Sequence, residues 1–255
     1  MIIYIANFNL PNTSAYSHHV IKMCDALKKN TKNLLLLIPY KNSSYKFKNI
    51  KSDYILKNNF KINTFLNIKL KGFFSRMIFL ISVLTFINKN KNKAKLIITR
   101  VPSISLFLSI IGIRNILELH QEFHGFSKFL FKIYFSIAFS HNIKFIYIHK
   151  NLKKFFNFLK NKNHIILDDA TDINDFKFTF DIKKKKDCVY AGSLSKGKGF
   201  ELIYKIAKKL PKIIFQIYGD QRLLDKKFSN KKFPANLKLN GHLDYKYIPK
   251  VLCKA

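Results

Sequence analysis

The chain has no tryptophan, and among its 255 residues only four arginines, three cysteines, six prolines and eight glycines. Each scarcity excludes something. The cysteines, Cys24, Cys188 and Cys253, are odd in number and far apart, so neither a disulfide framework nor a metal-ligand spacing can be read from them, and a reducing compartment fits. Acids are scarce too: 14 Asp and Glu face 47 Lys and Arg, for a net charge of +33. With so few arginines the excess is almost all lysine, spread along the chain and not gathered as a nucleic-acid footprint. Lys, Asn and Ile share A/T-rich codons, so genome composition explains much of the bias, and no specific nucleic-acid partner is expected. No basic residue precedes the apolar start Met1–Ala6, so it does not read as a signal peptide. The longest apolar stretch, Met77 to Ile87, falls short of the roughly 20 residues that span a bilayer. A soluble cytoplasmic protein is expected, able to touch the inner face of an anionic membrane through its lysines.

What is present is enough to build a core. Apolar residues make up 48% of the chain, a globular composition, and the length suits one large domain or two small ones. The N-terminal apolar run predicts a strand, and Val20, Met23, Cys24 and Leu27 at helical spacing predict a helix capped by Ser14 or Ser17. Leu34 to Ile38 predicts the next strand, giving the strand–helix–strand opening of a parallel α/β sheet. Residues 40–70 resist assignment. Further strands are predicted at Leu96–Thr99, Ile116–Leu119, Lys144–Ile148 and His164–Leu167, alternating with helices at Phe73–Ile87, Ile104–Ile111, Phe126–Phe139 and Leu152–Leu159. Residues 169–186, acid-rich and then closing on Lys183–Lys186, read as a linker, which leaves lobes at 1–168 and 187–255. The second lobe opens with a strand at Cys188–Ala191 and a helix at Phe200–Leu210. Strands at Ile213–Tyr218 and Leu237–Leu239 and a helix from Tyr247 follow.

Chemistry concentrates after Ala191. The segment from Gly192 to Gly199 carries three glycines and two lysines between a strand end and a helix start. Glycines let backbone amides approach an anion, the helix N-terminus adds a positive end, and Lys198 adds a mobile charge. The pattern suits a phosphate or diphosphate. Two other readings stand beside it. Gly192-x-x-x-x-Gly197-Lys198 approaches the nucleotide-binding P-loop, but Gly199 stands where Ser or Thr should hold Mg²⁺, and 63 residues after Gly192 are few for a nucleotide hydrolase core. The segment also reads as a plain glycine turn in a lysine-rich chain.

Taken in order, several segments resemble glycosyltransferase family 4, a retaining group with two facing Rossmann-like lobes, the GT-B fold. They are Ile98-Thr99-Arg100 and Glu118-Leu119-His120 in the first lobe, Asp169-Ala170-Thr171-Asp172 before the second, then Ala191-Gly192-Ser193-Leu194 with Lys198-Gly199, Tyr218-Gly219-Asp220 and Asn240-Gly241-His242. The resemblance implies a GT-B-like α/β fold of two parallel-sheet lobes. There are three departures. Ser193 replaces a frequent Arg, the Asn9–Ser17 loop lacks a Gly-Gly, and the family's paired-glutamate segment has no counterpart before Ala255. An incomplete second lobe, labile and poorly active by itself, is therefore expected.

The same resemblance implies transfer of a sugar from a nucleotide-diphosphate sugar to a glycan or lipid-linked glycan, as in cell-envelope polysaccharide synthesis, without cofactor or metal. Lys198 would stabilise the leaving diphosphate, and His120 would address the sugar from the first lobe. Gly192, Ser193, Gly197, Gly199, Gly219, Asp220, Gly241 and His242 would surround the donor. Asn9, Ser14 and Arg100 would face the acceptor. Glu118 reads as interior support, His18 and His19 as weak acceptor-side candidates and better as surface histidines of the first helix, and Asp168, Asp169 and Asp172 as solvated carboxylates. His124, His141, His149 and His164 lack a triad partner or a metal spacing. The competing classes are a basic protein that binds nucleic acid or a membrane surface without catalysis, and an inactive transferase fragment.

Overall fold

The computed structural model describes residues 1–70, 72–137, 142–156, 163–176, 187–228 and 231–253. The chain divides into two compact units, Met1–Ala170 and Thr171–Ala255. The expected termini of Phe126–Phe139 and Leu152–Leu159, and Lys183–Lys186, fall partly or wholly outside the described residues.

The first unit runs β1 (Ile2–Ile5), β2 (Asn9–Leu10), α1 (Ala15–Lys28), β3 (Leu34–Ile38), β4 (Tyr40–Lys41), α2 (Phe47–Asp53), β5 (Lys61–Thr64), α3 (Gly72–Asn90), β6 (Leu96–Thr99), α4 (Pro102–Ile110), β7 (Asn115–Leu119), α5 (Gly125–Ile137), β8 (Ile143–Tyr147), α6 (Lys150–Phe155) and β9 (His164–Ile166). Seven strands form one sheet in the order β5-β3-β1-β6-β7-β8-β9, every pairing parallel. Side-chain alternation sorts the core. Tyr4 joins Val20, Ile21 and Cys24 of α1 on one face, while Ile3 and Ile5 join Phe79, Val83 and Ile87 of α3 and Ile104 and Leu108 of α4 on the other. Beyond β7 the core is aromatic, with Phe131 stacked on Phe135 and both packed near Phe145 and Phe156.

Residues 40–70 escaped assignment because their elements are short and weakly apolar. Only Ile50 of α2 is buried, and β5 is an edge strand with no fully buried residue. Buried Asp25 holds this region down. Its carboxylate accepts from the amides of Lys57 (3.2 Å) and Asn58 (2.7 Å) and from Asn58 Nδ2 (3.0 Å).

One expectation needs correction. Gly72–Lys93 is long and apolar enough to cross a membrane by length and composition. The stretch Met77 to Ile87 was bounded by Arg76 and Asn88, and the helix runs on past both. In the fold this helix is a covering layer, laid against the sheet through Phe79, Val83 and Ile87.

The second unit carries β10 (Asp187–Ala191), α7 (Phe200–Lys209), β11 (Ile214–Tyr218), β12 (Leu237–Leu239) and α8 (Ile248–Leu252). Its three strands are parallel, in the order β10-β11-β12. Phe200, Tyr204 and Ala207 give α7 a buried stripe against Phe215, Ile217 and Phe228.

Replacing Asp25 with Ala strands two backbone amides beneath α1 and should destabilise the first unit by about 2 kcal/mol, with Asp25→Asn recovering part of it. Urea unfolding of the three proteins checks this; an unchanged midpoint for the alanine variant would show that water satisfies those amides.

Candidate functional site

In the first unit the chain reverses direction along the sheet at β1, whose neighbours are β3 on one side and β6 on the other. Ligands of open α/β sheets bind beyond the carboxyl ends of strands at such a switch point. Arg100 follows β6 there, and Glu118 and His120 lie one strand further, at the end of β7.

Glu118 is the hub. It is 4% exposed, and one carboxylate oxygen accepts from Tyr4 Oη at 2.6 Å. The other oxygen takes His120 Nε2 in a short contact, and His19 Nε2 of α1 stands 2.8 Å from it, off-line for an aligned hydrogen bond. The two imidazoles meet edge-on, 4.4 Å between centroids. Burial alone would push the Glu118 carboxyl up. The contacts from His120, His19 and Tyr4 outweigh it and hold the group well below the usual carboxylate range. Glu118 therefore supports the interior, as expected, and also orients two histidines.

Asp169 completes the cluster from the opposite side. Its Oδ1 lies 3.4 Å from His19 Nδ1 and 3.9 Å from His120 Nδ1. Asp169 is therefore not simply a solvated carboxylate of a linker; it belongs to the first unit and faces both rings. Each Nε2 is turned to Glu118 and each Nδ1 to Asp169. His19, His120 and Asp169 offer ligand atoms all within 4.8 Å of one another, and they are the residues that could hold a divalent metal, with Glu118 behind both rings. Sequence spacing hid this trio, since its members come from α1, the end of β7 and the segment after β9. His19 could have been found as the residue one helical turn past the Ser14 cap, on the helix that starts above the carboxyl end of β1.

The other acceptor-side residues have structural employment. Ser14 caps α1, its Oγ accepting from the Ser17 amide at 3.2 Å. Asn9 pairs with Tyr40 in the small parallel β2–β4 ladder. Arg100 lies over the Tyr16 ring at 4.3 Å, and its Nη1 is buried with no hydrogen-bond partner among the described residues. It does not cap α4, whose N-cap is Val101. His18 is drawn off by the core: its ring lies 4.5 Å from Tyr54, and burial, aided by Lys22, lowers its pKa to about 4.

In the second unit three glycines stand at three adjacent strand ends. Gly192 N donates to Tyr218 O at 2.9 Å and Gly219 N to Gly241 O at 2.8 Å, so the sequence-selected glycines form one bare backbone ledge. Gly219 is obligatory for close approach. A Cβ there would lie 2.3 Å from Gly192 O and 2.8 Å from the Leu194 side chain. The loop is closed by Tyr190, whose hydroxyl bonds the carbonyls of Ser193 (2.7 Å) and Lys198 (3.1 Å), while Ser193 Oγ and Ser195 Oγ sit 2.9 Å apart. Gly199 caps α7 with φ +90°, a conformation glycine supplies without strain.

Two details sharpen the loop's electrostatics. The Lys198 amide is taken by Ser195 O at 3.1 Å, so it is not part of an anion cradle; the open amides of the helix start are those ahead of Leu202 and Ile203, which both donate to Gly199 O. Sequence reading also passed over Glu201, in the first turn of α7, paired with Lys227 at 2.5 Å and Lys205 at 3.5 Å. These line a cavity of about 360 Å³ with Leu194, Ser195 and Gly197. The side chain of Lys198 is exposed and has no ion pair among the described residues. Asp220 is held by Arg222 (2.7 Å), which lowers its carboxyl to about 2, and it caps the following turn. His242 is half-exposed, 3.8 Å from Asp244.

No protein-family model matches the chain, and no curated protein matches it. Among solved structures it is similar to the lipopolysaccharide outer core galactosyltransferase WaaB in its apo form, at TM-score 0.59 and 12% identity, over 100% of this chain and 72% of that one. The fold is GT-B-like. UDP-GlcNAc 2-epimerase from Neisseria meningitidis bound to UDP-GlcNAc matches at TM-score 0.56 and 12% identity, over 99% of this chain and 75% of that one. The MnaA–UDP structure from S. aureus matches at 0.53 and 11%, over 100% and 72%.

The depressed Glu118 carboxyl contributes stability that is present above the ordinary carboxylate range, near pH 4.5, and is lost as pH falls below it toward the folded-state value. Glu118→Gln should lower stability at neutral pH and flatten its decline below about pH 4.5, read from urea midpoints across pH. Equal slopes would mean the carboxylate is not the group that titrates. Gly219→Ala should destabilise the second unit by about 2 kcal/mol or more while leaving first-unit hydrogen exchange unchanged. Wild-type exchange protection in β10 and β11 of that variant would contradict the close approach.

Proposed function

We propose that the protein transfers a sugar from a nucleotide-diphosphate sugar to a glycan or lipid-linked glycan, with retention, as a member of glycosyltransferase family 4 working at the cytoplasmic face of a membrane. The observation that carries this lies in the loop and strand ends of the second unit. Three glycines stand at the ends of its adjacent strands, and the exposed Lys198 lies just ahead of the start of α7. Such a site suits a diphosphate, whose charge rises as the bond to the sugar breaks. The fold supports the reading, since structures of this fold include a galactosyltransferase and proteins solved with UDP-GlcNAc and UDP.

In this reading, residues 187–255 hold the donor and residues 1–168 face the acceptor. Residues 169–186 join the two. Lys198 stabilises the leaving diphosphate. His120, fixed by Glu118, addresses the sugar, and His19 shares that role through the same carboxylate. The buried, unpartnered Arg100 Nη1 takes an oxygen of a ligand at the switch point. Gly241 and His242 lie toward the nucleotide base. The reaction is proposed to run without a metal.

A second reading, epimerisation of a nucleotide sugar, is favoured by the epimerases among the structural neighbours. One experiment separates the two. The full chain is incubated with UDP- and GDP-sugars, with and without lipid-linked acceptors, and products are read by NMR. Donor consumption that needs an acceptor supports transfer; sugar inversion without acceptor supports epimerisation. Lys198→Ala should lower turnover by about 10²–10³, and wild-type turnover in that variant would sink the diphosphate role. Activity should persist in EDTA. Loss restored by Mn²⁺, and absent from Asp169→Ala, would instead assign a metal to His19, His120 and Asp169.

A further inference from the structure

A helix that covers a parallel sheet ordinarily turns charged residues to water. In the second unit α7 turns Glu201, Lys205, Lys208 and Lys209 to water, with Leu202 and Ile206 exposed among them. In the first unit α3 does not. Its inward stripe, Phe79, Val83 and Ile87, is buried on the sheet. Its outward stripe is also apolar: Phe74, Met77, Ile78 and Ile81 follow the i, i+3, i+4, i+7 spacing of one helix face and are 78, 38, 41 and 59% exposed. Phe73 extends it, packed edge-on against Phe74. The neighbouring α4 behaves alike. Its Ile104 and Leu108 enter the same core cluster, so both helices cover one face of the sheet, and Phe107, Ile110 and Ile111 are left exposed. A contiguous outward face of this kind marks an interaction surface.

Charge identifies the occupant. From Tyr54 to Leu117 the chain contains no Asp or Glu, while 11 Lys and Arg fall in that stretch. Exposed Lys69 and Arg76 stand at the start of the stripe, and Lys89, Lys91 and Lys93 at its end. Two copies meeting face to face would bring these cations together, and a nucleic acid would leave the phenylalanines and isoleucines unrewarded. An anionic bilayer satisfies both parts, with acyl chains for the stripe and headgroups for its rim. We propose that the α3–α4 face docks the protein onto anionic lipid, with α3 lying in the interface plane. The inward stripe, locked to the sheet, keeps the helix from spanning. The inference stands on this surface and not on the reaction proposed above.

The test uses the full chain and vesicles of phosphatidylcholine with or without phosphatidylglycerol, and no nucleotide sugar, so its failure leaves the transferase reading untouched. The wild type should sediment with the anionic vesicles and not with the neutral ones. The triple variant Phe74→Ser, Ile78→Ser, Ile81→Ser keeps the net charge and alters only exposed side chains, so it should fold and lose binding by about tenfold or more. Since the chain has no tryptophan, Phe74→Trp adds a single reporter for the case in which the triple variant does not fold. Its emission should shift to the blue with anionic vesicles alone. Wild-type binding by the triple variant would reduce the effect to lysine charge and overturn the proposal. So would an unshifted tryptophan, or a wild-type dimer in light scattering that the triple variant abolishes.

Discussion

Parallel strands joined through crossover helices are buried on both faces, so the central strands β3, β1 and β6 of the larger unit are apolar in both directions. That constraint organises the rest. It places α1 on the Tyr4 side and α3 and α4 on the side of Ile3 and Ile5. It also makes the chain change direction along the sheet at β1. Arg100 and the Glu118 cluster stand at the carboxyl ends of β6 and β7 beside that switch point, where open α/β sheets take their ligands.

The two units meet charge in opposite ways. In the first, a buried carboxylate gathers donors: Tyr4 and two imidazoles converge on Glu118, and Asp169 waits on their far side. In the second, side chains are withdrawn to glycine at the strand ends, and the exposed Lys198 stands beside a helix start. A proton or a cation suits the first arrangement, and a polyanion suits the second.

Strands with apolar runs were legible in the sequence nearly residue by residue. Leu34–Ile38 and Leu96–Thr99 have the same bounds in the structure, because a doubly buried strand leaves an uninterrupted apolar signature. The edge strand Lys61–Thr64 left none, since an edge need not be apolar. The glycine ledge was legible because glycine is rare here and positive φ or close approach demands it. The histidine cluster was only half legible. Glu118 and His120 sit two apart on a strand end, but His19 and Asp169 reach them through tertiary folding, which no spacing along the chain encodes. The outward apolar face of α3 was missed for a different reason: a run of apolar residues reads as core until the structure shows how many of them face out.

The glycine ledge has a further consequence. Of eight glycines in the chain, five (Gly192, Gly197, Gly199, Gly219 and Gly241) lie in the loop and strand ends of the smaller unit. A surface made of main chain has no side-chain identity to lose. Where codon usage pulls residues toward Lys, Asn and Ile, exposed positions around the ledge other than Lys198 can change without altering the main-chain groups of the ledge. The tolerance is lopsided, however. Leu194 and Tyr190 press against Gly219 and Gly192 from behind, so the same drift at a ledge position would lift the strands apart. The smaller unit thus rests on a floor that a single methyl group at Gly219 would disrupt.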